Sequence, residues 1–312
     1  MYKIYFCSDG RLGNQIIQYF ACIVLNKILG DTHEIEFISN TNTNLNSIII
    51  NDFEWTKLCH KYFNIDFNSN ELVFAFSKYY NTNLDIDDKY INKLKNNNIY
   101  LKDYYQRSEV YKIDNIRETI LNTMNDSTNF NKIIGKNNLT IGDIMNNNYE
   151  MQTNNELRIH LRLDDFFTTG DGEVLNPEYY LFSINEICNK YSNINALTIV
   201  VDKLRNNDEK YVKYLIKNCP QHLNIKLHQK SIYEDFNYLR TAKYLISSNA
   251  TFSWVASYLS NALIVVVSNY NIYLSPHQGR KAITEIDTTS RCIVKDLQPH
   301  FTRNDVDNLI II

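Results

Sequence analysis

Apolar positions recur along this chain in short blocks that switch between two spacings. Tyr2 to Cys7 is a short apolar run of strand length. Asn14 to Leu29 repeats apolar residues at helical spacing and stops at Gly30, and Ile35 to Ile38 reads as a second strand. A strand, a glycine turn, a helix and a strand are the opening of an α/β layer. Residues 40 to 98 mix aromatic helical stretches with polar asparagine loops. Ile99 to Leu101 reads as a strand and Ser108 to Met124 as one helix, and the polar stretch 125 to 155 suits a linker between domains.

From Leu157 the alternation becomes regular. Strands are expected at Leu157–Leu161, Ala196–Val201, Leu223–Leu227, Tyr244–Ile246 and Leu263–Val267. Helices are expected at Pro177–Tyr191, Asp208–Asn218, Ile232–Ala242 and Phe252–Ser260, with Pro177 at a helix start, where its missing N–H costs nothing. This pattern predicts a parallel sheet with right-handed crossovers. Ligands of such sheets sit at the carboxyl ends of the strands, so the polar residues just past each strand carry the candidate chemistry. No internal repeat is visible. The 312 residues fit about two domains, expected at 1–150 and 151–312, with a cleft between them.

Composition narrows the partners. A net charge of -3 gives no basic excess to draw the chain to nucleic acid or to an anionic membrane. The 23 tyrosines, against 8 glycines, and the many asparagines read as codon bias, which makes the asparagine runs loop padding. Six cysteines without a C-x-x-C pair read as buried free thiols of a reducing compartment. The amino terminus lacks a basic flank followed by a long apolar run, and no apolar stretch approaches the roughly 20 residues of a membrane span. A cytoplasmic protein without an anchor is expected.

Four places could do chemistry. At Gly10-Arg11-Leu12-Gly13-Asn14-Gln15, glycines let the backbone approach a ligand, the following helix start offers N–H groups to an anion, and Asn14 and Gln15 could donate to sugar or phosphate oxygens, though an ordinary strand-to-helix turn uses the same residues. It is not the G-x-G-x-x-G of nicotinamide sites. At Ile159-His160-Leu161-Arg162-Leu163-Asp164-Asp165-Phe166, His160 and Arg162 share one face of an extended segment. Arg162 could grip a diphosphate with two prongs, or simply pair with Asp165. At Ser247-Ser248-Asn249-Ala250-Thr251-Phe252-Ser253-Trp254, a strand ends in hydroxyls and an amide before a helix. That is a phosphate cradle or plain helix capping. Asp202, after a strand, could accept from a base or ribose, or only turn the chain. Asp85-Ile86-Asp87-Asp88 has the D-x-D spacing of metal-dependent sugar transferases but reads better as a solvated helix start. Zinc-hydrolase, G-x-S-x-G and P-loop patterns are missing from the sequence.

Taken in order, these blocks resemble glycosyltransferase family 11, the α-1,2-fucosyltransferases. Gly10 to Tyr19 is similar to that family's G-x-L-G-N-Q-x-x-Q-Y signature, and Asp103 to Tyr111 to its G-Y-F-Q-S-x-x-Y stretch. His160-Leu161-Arg162 aligns with H-x-R-R-G-D-Y. Glu234 to Leu239 and Ser248 to Trp254 are similar to E-D-x-x-L-M and N-S-S-F-S-W-W. The second Arg and the Gly of the third block are Leu163 and Asp164 here. The resemblance implies a GT-B-type α/β fold of two Rossmann-like domains, acceptor-side then donor-side, with GDP-fucose as donor substrate, a glycan hydroxyl as acceptor, inversion at the anomeric carbon, an α-1,2 linkage and no metal. It implies donor contacts from Gly13, Asn14, His160, Arg162, Asp202, Ser248, Asn249, Thr251, Phe252 and Ser253, with Arg162 on the diphosphate. Asp164 and Asp165 are the candidate bases, with Asp9 behind them. The alternatives are a GDP-sugar-binding module that no longer transfers, a transferase using another nucleotide sugar, and a manganese enzyme built on Asp85 and Asp87.

Overall fold

The computed structural model describes residues 1–7, 10–39, 46–64, 86–103, 105, 108–111, 113–146, 155–163, 174–268, 292–295 and 305. These fall into two compact units, the first ending at Met145 and the second beginning at Asn146.

The first unit is built on β1 (Tyr2–Phe6), β2 (His33–Phe37), β3 (Ile48–Ile50) and β4 (Ile99–Leu101), ordered β2-β1-β4-β3 with every neighbouring pair parallel. Between the first two strands runs α1 (Leu12–Ile28). Ile16, Ile17, Phe20, Ala21, Cys22 and Leu25 on it are fully buried. A helix apolar on so many sides must be covered all round. The sheet covers one side, and α2 (Asp52–Phe63) and α5 (Asp114–Asn125) pack on others. Two short helices, α3 (Asp88–Lys95) and α4 (Ser108–Tyr111), lie between them in sequence.

Three departures from the sequence reading occur here. The segment Ser108–Met124 is two helices, broken before Asp114. The stretch expected to be a linker instead forms an antiparallel ribbon, β5 (Ile133–Gly135) and β6 (Leu139–Thr140), followed by α6 (Ile141–Ile144). Its turn uses Asn137 and Asn138, both with φ 60°, a left-handed conformation asparagine tolerates better than most residues. Within residues 40 to 98 the expected helical stretches include α2 and α3, but Ile48–Ile50 is the strand β3; α2 starts on a capping box from Asn51 and Glu54.

The second unit holds β7 (Glu156–His160), β8 (Ala196–Val200), β9 (Asn224–His228), β10 (Tyr244–Ile246), β11 (Ile264–Ser268) and β12 (Cys292–Lys295). The order is β12-β11-β10-β7-β8-β9, all parallel. Its helices are α7 (Pro177–Lys190), α8 (Asn206–Asn218), α9 (Ile232–Arg240) and α10 (Thr251–Tyr258). Leu157, Ile159, Leu197, Ile199 and Ile246 meet Tyr179, Tyr180, Ile184 and Tyr211 in one core. Each such aliphatic side chain gains about 1.5–3 kcal/mol on burial. The expected α/β alternation is present, with β7 to β11 each within two residues of the expected span; β12 is a strand that was not expected. Five cysteines, Cys7, Cys22, Cys59, Cys188 and Cys219, are buried free thiols, as expected.

Both strand orders place a switch. In the second sheet the chain leaves β7 towards β8 and β9, then returns to the other side with β10. In the first it leaves β1 for β2, then fills the other side with β4 and β3. Sheets of this kind take ligands at such a switch, at the carboxyl ends of the strands.

Candidate active site

At the switch of the second unit, two of the singled-out segments meet. Ile159 of β7 is registered on Ile246 of β10, so the residues that follow each strand emerge side by side. His160 is buried, and its Nδ1 lies 2.8 Å from Ser248 Oγ. Its ring packs against Phe252, centroids 5.3 Å apart. Burial, and after it the positive charge of Arg162, pulls the His160 pKa down to about 3, so the imidazole is neutral. Arg162 is half-buried two residues beyond the strand.

The serines turn inward. Ser248 is nearly buried, and Ser247 and Ser253 are fully so. Ser253 Oγ lies 2.9 Å from both Ser248 Oγ and Ser247 Oγ, and Ser248 Oγ accepts from the Ala250 amide at 3.2 Å. This web ties the turn together and joins it to His160. The half-buried residues of the turn are Asn249, Thr251 and Phe252. Thr251 is the first residue of α10, whose N-cap is Ala250.

That helix start is unusual in this chain. Among the described helices of eight or more residues, only α1 and α10 have neither a side-chain cap nor an acidic residue in the first turn. These two follow the first glycine motif and the serine motif. The positive pole of a helix start with no acidic residue in its first turn suits an anion.

In the first unit, Gly10 takes φ 83°, which glycine alone adopts without strain, and turns the chain into α1. Gly13 is buried and Asn14 half-buried in the first helical turn. The two glutamines of the motif are structural. Gln15 Nε2 donates to the Gly10 carbonyl at 3.1 Å while its Oε1 accepts from the Lys136 amide at 3.2 Å. Gln18 Nε2 donates to the Asp103 carbonyl at 3.1 Å. Tyr105, in the following motif, is buried with φ 53°; its hydroxyl donates to the Ile50 carbonyl at 2.6 Å and accepts from the Lys102 amide at 2.8 Å. Gln15, expected to donate to sugar or phosphate oxygens, has its amide nitrogen on the Gly10 carbonyl instead; Gln18 and Tyr105 lie in the matched blocks, but no local pattern points to their roles.

Asp202 is exposed just past β8. Its Oδ1 accepts from the Lys203 amide at 2.8 Å, and its carbonyl accepts from Gln229 Nε2 at 2.9 Å. Asp87 caps α3, accepting from the Tyr90 amide at 2.6 Å, the helix start its composition indicated. Asp9, Asp85, Asp164 and Asp165 lie outside the described residues. Among the described residues no three His, Cys, Asp or Glu side chains gather as a cation site, and no helix is long and apolar enough to cross a membrane.

Comparison with known proteins returns a family and several remote folds. The family described as Glycosyl transferase family 11 matches residues 1–289. Comparison with curated protein sequences returns no match. Among solved structures, a mutant of Arabidopsis thaliana FUT1 in complex with GDP aligns at 13% identity and TM-score 0.42, over 91% of this chain and 75% of that one. The E. coli heptosyltransferase WaaC with ADP aligns at 9% identity and TM-score 0.38, over 98% and 96%. A family 9 glycosyl transferase from Veillonella parvula DSM 2008 aligns at 10% identity and TM-score 0.37, over 94% and 86%.

Proposed function

This chain belongs to glycosyl transferase family 11, and from that membership we propose that it is a fucosyltransferase moving fucose from GDP-fucose to a hydroxyl of a glycan, with inversion, an α-1,2 linkage and no metal. It is a glycosyltransferase; the donor, linkage and stereochemistry are the proposal.

The observation that supports the reading is the contact of His160 with Ser248 at the switch of the second sheet, which brings the segment carrying Arg162, two residues on, to the turn that leads into α10. In the reaction, the acceptor oxygen bonds to the anomeric carbon as the bond from that carbon to the β-phosphate oxygen breaks. GDP departs with the bonding pair, and the acceptor proton passes to a base. Negative charge grows on the diphosphate, so a fixed guanidinium and a helix's positive pole are worth most in the transition state. Arg162 and the amides at Thr251 and Phe252 take that role. His160, held neutral by burial, adds no second charge and braces the segment through Ser248. Asp164 and Asp165 are the proposed bases, Asp202 the contact to ribose or guanine, and the first unit the acceptor side.

The test is a calorimetric titration of the whole chain with GDP, GDP-fucose, GDP-mannose and UDP in chelator, followed by radiolabel transfer from GDP-fucose to a glycan panel. Micromolar GDP binding and labelled product in chelator are expected. Binding of GDP with no labelled product on any acceptor would point to the binding-module alternative. Transfer only with manganese would refute the metal-free mechanism.

A further inference from the structure

Helix α7 carries two adjacent tyrosines, Tyr179 and Tyr180, both buried in the core beneath the second sheet. Neighbours on a helix point about 100° apart, since a turn takes 3.6 residues. Yet both hydroxyls find main-chain carbonyls at the same place. Tyr180 Oη donates to the His160 carbonyl at 3.1 Å, at the last residue of β7. Tyr179 Oη donates to the Ser247 carbonyl at 2.8 Å, one residue past β10. Their rings meet edge to face, with centroids 4.9 Å apart. The two carbonyls stand at the ends of the two strands that flank the switch.

We propose that Tyr180, supported by Tyr179, is a positioning residue that fixes the strand tip from which Arg162 projects; this rests on Arg162 being the donor-diphosphate cation. Packing does not require the hydroxyls. Phenylalanine would fill nearly the same volume among Leu157, Ile159 and Ile184, with no polar atom to satisfy. What the hydroxyls add is direction. Residue 160 is held by its carbonyl through Tyr180 and by its ring through Ser248, and the next amide donates to the Val200 carbonyl at 2.9 Å. Arg162 therefore projects from a pivot tied on three sides. Its long side chain amplifies any slack in that pivot, and a shift of about 1 Å in a transition-state contact can cost roughly a hundredfold in rate.

The test compares Tyr180→Phe with Tyr211→Phe in the whole chain. Tyr211 is a matched reference: it is equally buried in the same core, but its hydroxyl donates at 2.6 Å to the Leu175 carbonyl and not to a strand end. Three readouts are taken: melting temperature, hydrogen exchange of the amides at 161–163, and affinity for GDP. Both variants lose one buried hydrogen bond, so both melt earlier. Only Tyr180→Phe is expected to speed exchange at 161–163 and to weaken GDP binding by about tenfold, the size of one lost buried hydrogen bond. Tyr211→Phe is expected to keep GDP affinity within about twofold. Equal behaviour of the two variants at 161–163 would overturn the positioning role. Faster exchange there in Tyr180→Phe alone, in a protein that takes up no GDP, would keep the pivot and remove the donor reading instead.

Discussion

His160 Nδ1 stands 2.8 Å from Ser248 Oγ, and this one contact couples the ends of β7 and β10. It also fixes a titration. The folded pKa of His160, about 3, lies below its ordinary 6.5, so the unfolded chain binds a proton that the folded one refuses. Stability is complete above 6.5 and falls as the pH drops from there towards 3. Between pH 7 and pH 5 the loss from this group is about 2 kcal/mol. Urea midpoints across that range are expected to fall more steeply for the natural chain than for His160→Asn. Parallel curves would mean that His160 takes up its proton while folded.

Arg162→Ala is expected to keep the fold, since the side chain is only half-buried, and to lose turnover by about a hundred- to a thousandfold, the usual cost of one transition-state donor. Arg162→Lys keeps the charge but not the two-pronged geometry and should recover only part of the rate. Steady-state rates with circular dichroism as the fold check decide it. Normal turnover in Arg162→Ala would remove this residue from the mechanism.

Much of this arrangement is legible in the sequence. From Leu157 to Val267 the apolar blocks alternate at two clean spacings, and they became the strands and helices expected. Tertiary polar contacts were less visible. Alternation along a strand tells which residues share a face, but not which face is covered; hence nothing in the sequence shows that Ser247 and Ser253 turn inward. The ribbon around Gly135 is hidden because its strands are only two or three residues long, within a polar stretch that reads as a linker, and its turn rests on left-handed asparagines. The roles of Gln15, Gln18 and Tyr105 depend on main-chain partners 3 to 121 residues away, which no local pattern encodes.

Gly135 packs against the far end of Gln15. A Cβ built there would stand 2.4 Å from Gln15 Oε1 and 3.2 Å from Leu139 Cδ2. In Gly135→Ala the glutamine must swing away, releasing its bonds to Gly10 and Lys136, at a cost of about 1–3 kcal/mol. A double-mutant cycle with Gln15→Ala isolates the coupling. Most of the cost of Gly135→Ala should vanish in the Gln15→Ala background. Additive losses would show that Leu139, not Gln15, bears the clash.

A second polar web lies under α9, and it is structural. Glu156 Oε2 is 3.1 Å from Arg158 Nη2, with both side chains under 10% exposed, at 7% and 3%. Tyr238 Oη donates to Glu156 Oε1 at 2.7 Å. The Tyr238 ring has the Arg158 guanidinium 3.6 Å from its centroid and the His228 ring stacked at 4.0 Å, which places them on opposite faces. Burial opposes the Glu156 charge, but donors from Thr198 and Tyr238 and the charge of Arg158 outweigh it and hold its pKa below the ordinary carboxylate value. Arg158→Met removes the main counter-charge and strands a buried carboxylate, so a loss of about 3–5 kcal/mol is expected. Replacing both members, in Glu156→Gln with Arg158→Met, should cost less than Arg158→Met alone, because the amide carries no charge to strand. Urea unfolding of the three variants measures this. A single Arg158→Met variant within about 1 kcal/mol of the natural chain would mean that Lys226, 3.5 Å from Glu156, is a sufficient partner.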